Sequence, residues 1–297
     1  MVEVNRGEEL LPACSTPANA GMDILTHSDR VVQARREILS MLMHTGHHDC
    51  PICDKAGECD LQDLVYAYGV EHVPMTKRPQ YTVPEYATPN IRYWPERCIL
   101  CQRCVTMCNE VLGIHAISMQ GSGNQARVVP SNPERCVSCG ECLSVCPTGA
   151  LTENLSRYKG RPWLVDRVQT TCTYCGCGCQ LELNVMNNRV IGVTTHEDVG
   201  VNRGSLCVKG RFGYEFIGDD SRLSSPLVRK NGTLQKASWD EALRTVADRL
   251  HAIKKAKGAD SLGGLTSARC TNEENYLFQK FMRAVIGTNN VDHCARL

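Results

Sequence analysis

The chain lacks the features that mark a membrane-spanning, nucleic-acid-binding or exported protein. Its 297 residues contain no apolar run of about 18 residues, which excludes a membrane-spanning helix. The formal net charge of +1 gives no reason to expect nucleic acid or an anionic membrane as a partner. The opening stretch MVEVNRGEELLPAC has no basic start followed by an apolar segment, so it predicts no signal peptide. We therefore expect a cytoplasmic protein.

A Gly-x-Gly-x-x-Gly pattern is also absent, so the sequence shows no dinucleotide-binding loop of that type. Cysteine, in contrast, is abundant, with 19 residues. In a small secreted chain this number would indicate a disulfide framework. Here many cysteines stand two or three residues apart, and neighbours at C-x2-C spacing chelate metal more readily than they close disulfides with distant partners. The sequence predicts an intracellular metalloprotein.

Two similar runs form an internal repeat: CILCQRCVTMC at 98–108 and CVSCGECLSVC at 136–146. Each reads C-x2-C-x2-C-x3-C, the spacing of bacterial ferredoxins, in which the fourth cysteine binds the other [4Fe-4S] cluster. Three cysteines on one tight loop reach three irons of a cube, and the following helix carries the fourth away. One predicted cluster has the ligands Cys98, Cys101, Cys104 and Cys146. The other has Cys136, Cys139, Cys142 and Cys108.

The alternative for these two runs is a pair of structural zinc ions. Zinc sites usually pair two separated C-x2-C knuckles and do not need a third cysteine in the same loop. Gly140 and the Pro-Thr-Gly after Cys146 suit a tight loop that aims backbone N–H groups at the sulfurs. The pattern therefore favours clusters.

Local patterns predict regular elements in the first two thirds of the chain. A helix with Ser28 as N-cap is expected over 28–43, since apolar residues recur there at helical spacing. The alternating stretch around Asn187-Asn188 predicts a hairpin.

Similar patterns predict a strand between two helices near the end of the sequence. Ser238 opens an amphipathic helix, and SLGGLTSA at 261–268 predicts a strand. Thr271 and Glu274 have the spacing of a capping box, and Gly287 is expected to end the helix that they open. A strand followed by a capped helix is typical of the start of an α/β domain.

The first cysteine block, CPICDKAGEC, supplies Cys50, Cys53 and Cys59 and leaves a cubane one ligand short. It resembles the His/Cys3 [4Fe-4S] domain in the large iron–sulfur subunit of respiratory NADH dehydrogenases, hydrogenases and NAD-linked formate dehydrogenases. The commonest form of that motif has His four residues before the first cysteine, where this chain has Gly46. We favour His48 as the fourth ligand. His47 is the alternative, and a third interpretation is that no histidine binds iron.

The third block, CTYCGCGC followed by a distant cysteine, reads C-x2-C-x3-C-x27-C. It resembles the [4Fe-4S] domain that opens the molybdenum or tungsten bis-pterin oxidoreductases. The ligands that this resemblance implies are Cys172, Cys175, Cys179 and Cys207. Cys177 falls where that family usually has a small apolar residue and is interpreted as a spectator. Lys209 matches the family's lysine between cluster and pterin, where it would bridge electron transfer and contact the cofactor; otherwise it is an ordinary surface lysine.

From SWDEAL to the final residues the chain is very similar to formate dehydrogenase catalytic domains. As a whole it resembles the alpha subunit of NAD(P)-dependent formate dehydrogenase, truncated at both ends. The implied fold class is α+β, a multi-domain iron–sulfur protein. The implied segments are a [2Fe-2S] domain remnant (1–27), a His/Cys3 cluster domain (28–69), a linker (70–90), a two-cluster ferredoxin-type domain (91–157), a small β-rich [4Fe-4S] domain (165–221) and the start of an α/β molybdopterin domain (222–297).

The resemblance implies an electron conduit with four [4Fe-4S] clusters. In the full-length enzyme, formate would be oxidised at a Mo or W bis-molybdopterin guanine dinucleotide centre. The electrons would pass to flavin/NAD-binding partner subunits. The alternative is an electron-transfer subunit of an NADH-quinone oxidoreductase or hydrogenase complex. The third block favours formate dehydrogenase, since a plain ferredoxin subunit has no reason to carry it.

The resemblance also bears on the two ends of the sequence. Such subunits begin with a [2Fe-2S] domain, of which Cys14 would be the last ligand, so this cluster is expected only in the full-length enzyme. No catalytic metal ligand is expected within the chain, and the chain alone is expected to be inactive. The ligand is expected immediately after Leu297, as a selenocysteine encoded by UGA.

Overall fold

The computed structural model describes residues 1–5, 9–46, 48–70 and 88–294. These residues form two compact units, Met1–Asp166 and Arg167–Leu297, and each is described by itself. Most of the segment that the sequence marks as a linker, residues 71–87, lies outside the described part of the chain. No helix of the described residues is both long and apolar enough to cross a bilayer.

The first unit opens with a small antiparallel sheet and a long helix. The sheet has the strand order β2-β1-β3, with β1 at Val2–Val4, β2 at Glu9–Leu11 and β3 at Ile24–Leu25. Helix α1 follows over Asp29–Thr45. Its N-cap is Ser28, whose hydroxyl accepts a hydrogen bond from the Val31 N–H, as the sequence predicts.

The first cysteine block follows α1 directly. A 3-10 turn covers Cys50–Ile52, with proline at its start, and α2 covers Asp60–Ala67. The backbone N–H of Asp60 donates to the Pro147 carbonyl at 2.9 Å. This contact holds the start of α2 against the end of the second ferredoxin-type run.

The rest of the first unit shows the internal repeat in its backbone. A Pro-Glu-Arg 3-10 turn precedes each cysteine loop, at Pro95–Arg97 and Pro133–Arg135. A four-residue helix follows each loop: α3 at Arg103–Thr106 and α4 at Glu141–Ser144. Both loops have positive φ at the same two positions; the first loop has Leu100 (56°) and Gln102 (60°), and the second has Ser138 (52°) and Gly140 (81°). The repeat in sequence is thus a repeat in conformation.

Short strands tie the two cysteine loops together. Strand β4 (Ile91–Tyr93) pairs antiparallel with β7 (Leu151–Glu153), and β5 (Ser118–Gln120) pairs antiparallel with β6 (Arg127–Val129). Between α3 and β5 lies one π-helical turn, Met107–Val111. The buried apolar residues of this region are Ile91, Tyr93, Cys108, Ala116, Ile117, Val128, Ala150 and Leu151.

The second unit begins with a three-stranded antiparallel sheet. Its order is β10-β9-β8, with β8 at Asp166–Thr171, β9 at Gln180–Met186 and β10 at Arg189–Thr194. Asn187 and Asn188 both have positive φ, at 50° and 58°, which is the backbone of a type I′ turn. The predicted hairpin is therefore present.

A short helix and a hairpin link this sheet to the last part of the chain. They are α5 (Val208–Phe212), β11 (Leu227–Lys230) and β12 (Thr233–Lys236). Helix α6 then covers Trp239–Lys257, and Ser238 caps it by accepting from the Glu241 N–H. The cap agrees with the sequence-based prediction.

The last elements form a small α/β arrangement. Strand β13 (Gly264–Thr266) pairs in parallel with β14 (Val291–His293). Helix α7 covers Asn272–Lys280 with a full capping box of Thr271 and Glu274, and a π-helical turn, Phe281–Ile286, extends it to the left-handed Gly287. The strand predicted at 261–268 is shorter than expected: it covers only Gly264–Thr266, and its first predicted residue, Ser261, belongs to a 3-10 turn.

Candidate iron–sulfur centres

Four cysteines line one cavity in the first unit. Its volume is about 330 Å³, counted with the solvent open to it. The four are Cys98, Cys101, Cys104 and Cys146. The other side chains that line it include Tyr93, Val128 and Thr148, and no carboxylate or imidazole is among them in the described residues. A set of four thiols without carboxylate or imidazole ligands suits an iron–sulfur cluster or zinc.

A second cavity of about 360 Å³ has the same character. Its cysteines are Cys108, Cys136, Cys139 and Cys142. Apart from the cysteines, the described residues that line it are apolar or glycine: Ile91, Leu112, Ile114, Ala116, Ile117, Val137 and Gly140. This cavity is therefore the less polar of the two.

The fourth cysteine of each run lines the cavity of the other run. Cys108 follows α3 by two residues and lies with the second loop, while Cys146 follows α4 by two residues and lies with the first. The short helix carries each fourth cysteine away from its own loop. The structure thus groups the eight cysteines as the sequence predicts, and their role as ligands stays a prediction.

Burial raises the pKa of three of these thiols, Cys98, Cys104 and Cys142. Desolvation, with the neighbouring Cys146 and Cys98, raises the pKa of Cys104 to about 12. Desolvation also raises the pKa of Cys142, and Cys139 and Cys104 add to the effect. Since iron binds the thiolate, loading of these cavities has to release protons.

The three cysteines of the first block line a third cavity, of about 460 Å³ including open solvent. Cys50, Cys53 and Cys59 share it with His48. The Nε2 atom of His48 lies 2.8 Å from the Met43 carbonyl oxygen. If Nε2 carries the proton, it donates to that carbonyl and Nδ1 is the acceptor nitrogen, the pattern of many metal-binding histidines. The alternative ligand, His47, lies outside the described residues.

Two glycines leave room for this site. A Cβ atom added at Gly149 would lie 2.3 Å from the Cys53 sulfur, and one at Gly46 would lie 2.8 Å from Cε1 of His48. Neither glycine has positive φ, so the need for glycine comes from the close approach of the candidate ligands. The space at position 46 is occupied here by the ring of His48.

A buried ion pair joins the first block to the first ferredoxin-type loop. Arg97 donates from Nε to the Asp49 carboxylate at 2.8 Å, and a second bond joins Nη2 to the other oxygen. Although burial opposes the charged form, the bonds to Asp49 raise the pKa of Arg97. The guanidinium also stacks on Trp94, 4.2 Å from the ring centre. Asp49 and Arg97 each directly precede the first cysteine of a cluster loop.

Sequence reasoning did not find this pair or Tyr93, and it included Thr148 only as part of the Pro-Thr-Gly after Cys146. The Arg97 and Asp49 positions are 48 residues apart, and no periodicity links them. The one weak signal is the Pro-Glu-Arg-Cys stretch that occurs in both repeats. Thr148 donates from its hydroxyl to the Arg97 carbonyl at 2.9 Å. Cys98, Ile99 and Thr148 line both the first-block cavity and the first ferredoxin-type cavity, so these two sites share a wall.

In the second unit, the third block forms a closed loop. The Cys172 N–H donates to the Cys179 carbonyl at 2.8 Å. Cys207 is the N-cap residue of α5, and Gly210 in that helix would place a Cβ 3.7 Å from the Cys172 sulfur. Helix α5 therefore packs against the loop. Desolvation, with a hydrogen bond to Cys177, raises the pKa of Cys179 to about 11.

The remaining candidate residues lie at the surface. Lys209 on α5 and the thiols of Cys175, Cys177 and Cys207 are exposed. Cys14 is exposed in the turn after β2. Within the described ranges, no three His, Cys, Asp or Glu side chains are arranged to hold a single metal ion.

Four segments of the chain match known protein families. They are the NADH-ubiquinone oxidoreductase-G iron-sulfur binding region (residues 35–74), the 4Fe-4S dicluster domain (97–150), the Molybdopterin oxidoreductase Fe4S4 domain (165–219) and Molybdopterin oxidoreductase (222–297). The match over 97–150 resolves the choice between zinc and clusters in favour of [4Fe-4S] clusters. The matches together bear out an α+β iron–sulfur protein with several domains.

Relatives match along nearly the whole chain. The "NADPH-Fe(3+) oxidoreductase subunit alpha" of Geobacter sulfurreducens is 39% identical over 100% of this chain and 35% of its own length. An NADH-quinone oxidoreductase subunit of Rhizobium meliloti is 41% identical over 100% of this chain and 35% of its own. A Staphylococcus aureus protein named "Putative formate dehydrogenase" is 34% identical over 96% of this chain and 33% of its own.

A solved structure, an NAD+-reducing [NiFe]-hydrogenase in the H2-reduced state, is 29% identical with a TM-score of 0.46, covering 54% of this chain and 69% of that one. The chain spans about a third of the length of its curated relatives, with coverages of 35% and 33%. From the segment matches, residues 35–219 contain iron–sulfur binding domains, and residues 222–297 belong to the start of a molybdopterin oxidoreductase domain.

Proposed function

We propose that this chain is the iron–sulfur electron-transfer portion of a molybdenum or tungsten formate dehydrogenase. It would carry electrons from formate oxidation at a pterin metal centre to an NAD(P)-reducing partner. The observation that carries the electron-transfer role is the sorting of eight cysteines into two four-thiol cavities beside a third cavity with three cysteines and His48.

Four ligand sets follow from this proposal. The first is His48, Cys50, Cys53 and Cys59. The second is Cys98, Cys101, Cys104 and Cys146. The third is Cys108, Cys136, Cys139 and Cys142. The fourth is Cys172, Cys175, Cys179 and Cys207.

Bound [4Fe-4S] clusters would each accept and release one electron at a potential set by their surroundings. The protein residues provide those surroundings. Burial around Cys104 and Cys142 excludes water, and the shared wall of Cys98, Ile99 and Thr148 leaves little protein between the first and second sets. Short separation favours direct electron transfer between these two sets.

Formate as the electron donor is supported by the name of the Staphylococcus aureus relative and by the molybdopterin match at 222–297. In this proposal Lys209, which follows the candidate ligand Cys207 by two residues, lies between the fourth cluster and the pterin. The bis-molybdopterin guanine dinucleotide would supply the metal that takes electrons from formate. Flavin- and NAD-binding subunits would receive them.

A second candidate function rests on the other two relatives. Both are more similar to this chain, at 39% and 41% identity, and their names specify NADPH-Fe(3+) and NADH-quinone oxidoreductases. In that case the clusters would receive electrons from NADH or NADPH and no formate would be oxidised. The cysteine cavities serve both functions equally well.

Reduction of the clusters by different donors separates the two functions. The native protein, purified anaerobically with its bound subunits, would be mixed with formate, NADH or NADPH and examined by electron paramagnetic resonance (EPR). Cluster reduction by formate is the result that we expect. Reduction by NADH or NADPH with no response to formate would replace formate dehydrogenase by the second candidate. Signals absent even with dithionite would contradict the electron-transfer role itself.

A further inference from the structure

Tyr93 places a buried hydroxyl group beside the first ferredoxin-type cavity. The residue ends strand β4, where it pairs with Leu151 of β7, and only 4% of its surface is exposed. It lines the cavity together with Cys98, Cys101, Cys104 and Cys146. Its backbone register fixes the ring at this wall.

The Tyr93 hydroxyl has no hydrogen bond of good geometry to any residue in the described part of the chain. A buried O–H without a partner is energetically costly, so such groups usually face an acceptor. The Cys98 sulfur lines the same cavity, interacts with the hydroxyl and can accept such a bond.

The internal repeat supplies a comparison. The stretches YWPERC and SNPERC place Ser131 where the first repeat has Tyr93. Ser131 does not line the second cavity, whose described lining apart from cysteine is apolar or glycine. The two cavities therefore have the same number of thiols, but among the described residues the first also has the polar side chains of Tyr93, Gln102 and Thr148. Thr148 donates its hydroxyl proton to the Arg97 carbonyl, which leaves Tyr93 as the hydroxyl without such a bond.

We propose that the Tyr93 hydroxyl donates a hydrogen bond to the Cys98 thiolate of the bound cluster and raises its reduction potential above that of the cluster at Cys108, Cys136, Cys139 and Cys142. The inference rests on the ligand sets of the proposed function. Tyr93 is here a positioning and tuning residue and does not bind iron. It would direct electrons to the first of the two clusters.

The sign follows from charge. Reduction adds an electron to the cluster, and part of that charge resides on the cysteine sulfurs. A donor O–H stabilises the more negative, reduced state more than the oxidised state, so the potential rises. The Leu100 N–H also donates to the Cys98 sulfur, at 3.4 Å. Because this donor belongs to the backbone, it stays in place when Tyr93 is substituted and does not account for a change in potential.

The test compares Tyr93→Phe with Tyr66→Phe in the reconstituted chain. Phenylalanine removes one oxygen and keeps the ring, so the cavity wall stays filled. Tyr66 on α2 is 82% exposed and serves as the matched control. Potentials would be measured by EPR-monitored redox titration, with the signal of the first cluster identified through its change in Cys101→Ser.

We expect Tyr93→Phe to lower the midpoint potential of the first cluster and so bring it closer to the midpoint potential of the second cluster. Tyr66→Phe should change neither potential. A midpoint unchanged in Tyr93→Phe with both clusters present would overturn the inference and leave the ligand sets intact. If the unmodified chain holds no such pair of clusters, the proposed function fails instead.

A second measurement covers the case in which Tyr93→Phe loses its cluster. Protein labelled with 3-fluorotyrosine keeps every hydroxyl but makes each a stronger donor. The midpoint of the first cluster should then rise relative to unlabelled protein, while that of the second stays. No rise in the labelled protein would contradict a hydrogen bond from Tyr93.

Discussion

Among single residues, Gly149 shows how closely the protein approaches a candidate ligand. A Cβ at this position would lie 2.3 Å from the Cys53 sulfur, well inside van der Waals contact. Cys53 is buried, at 8% exposure, so its side chain has little room to move away. The segment after Cys146 therefore lines the first-block cavity as well as the first ferredoxin-type cavity.

We predict that Gly149→Ala removes the first-block cluster and leaves the ferredoxin-type pair, because the added methyl group displaces Cys53. Iron content should fall by about four per chain, one cubane, with the EPR signals of the pair retained. Gly218→Ala is the control, since nothing lies within 4 Å of a Cβ there and its backbone is ordinary. Full iron content in Gly149→Ala would show that the site tolerates the methyl group.

The raised pKa of Cys104, about 12, predicts a pH dependence for the chain without iron. An unfolded thiol ionises near pH 8.5, so above about that pH the unfolded chain loses protons that the folded chain keeps. Stability should therefore fall as pH rises from about 8.5 toward 12. Urea unfolding at several pH values measures this, and Cys104→Ala should flatten the dependence. A stability that rises with pH over this window would contradict the assignment.

Among the structural elements, the Pro95–Arg97 turn and the segment before the Cys50–Ile52 turn are held together by one ion pair. The Arg97 side chain is 4% exposed and that of Asp49 is 17% exposed. Removing one partner from a buried pair leaves an uncompensated charge, whereas removing both can be nearly neutral. The pair therefore fixes how two cluster loops meet.

A double-mutant cycle tests this coupling. Arg97→Met and Asp49→Leu should each lower the free energy of unfolding by about 3 kcal/mol, and the double variant by much less than the sum. Urea denaturation followed by tryptophan fluorescence provides the energies. The exposed pair Arg103–Asp60, at 3.3 Å, is the control, and its cycle should give a coupling within about 0.5 kcal/mol. Additive effects at Arg97 and Asp49 would argue against a coupled pair.

Elements whose signals are local could be predicted from the sequence. Ser28, Ser238 and Thr271 cap helices because a hydroxyl one residue before the helix satisfies an N–H three positions on. Asn187 and Asn188 turn a hairpin because asparagine tolerates positive φ. Strand β14 was not predicted as a strand, since three residues carry no periodicity and its pairing with β13 depends on a partner 27 positions away.

The candidate sites likewise contain some features that local sequence signals predict and others that depend on distant contacts. Cysteine spacing predicts which thiols share a cavity because the loop and the short helix after it are local. The polar residues around those thiols depend on distant contacts: Arg97 meets Asp49 across 48 positions, and Tyr93 reaches its cavity through pairing of β4 with β7. Nothing in a single sequence ties such residues to a cluster. The choice between His47 and His48 as a ligand is partly local and partly not. Both residues stand beside Cys50 in the sequence, but only the folded loop shows that Gly46 leaves space for the His48 ring.

For the molecule as a whole, the proposed ligand sets require that the clusters can be removed one at a time. Cys50→Ser should remove the first-block cluster while the ferredoxin-type pair remains, since no other ligand set uses Cys50. Iron analysis and EPR of the purified variant would check this result. Loss of every cluster together would make Cys50 a residue needed for folding and not the ligand of a single site.

Above all, we expect four [4Fe-4S] clusters to occupy four ligand sets in one chain. Iron and acid-labile sulfide, measured per chain after anaerobic reconstitution and combined with spin quantification of the dithionite-reduced protein, give the most direct test. We predict about sixteen irons and about sixteen sulfides, with interacting signals from the ferredoxin-type pair and separate signals from the first and third blocks. A content of about eight irons, with no signal from the first and third blocks, would contradict this expectation.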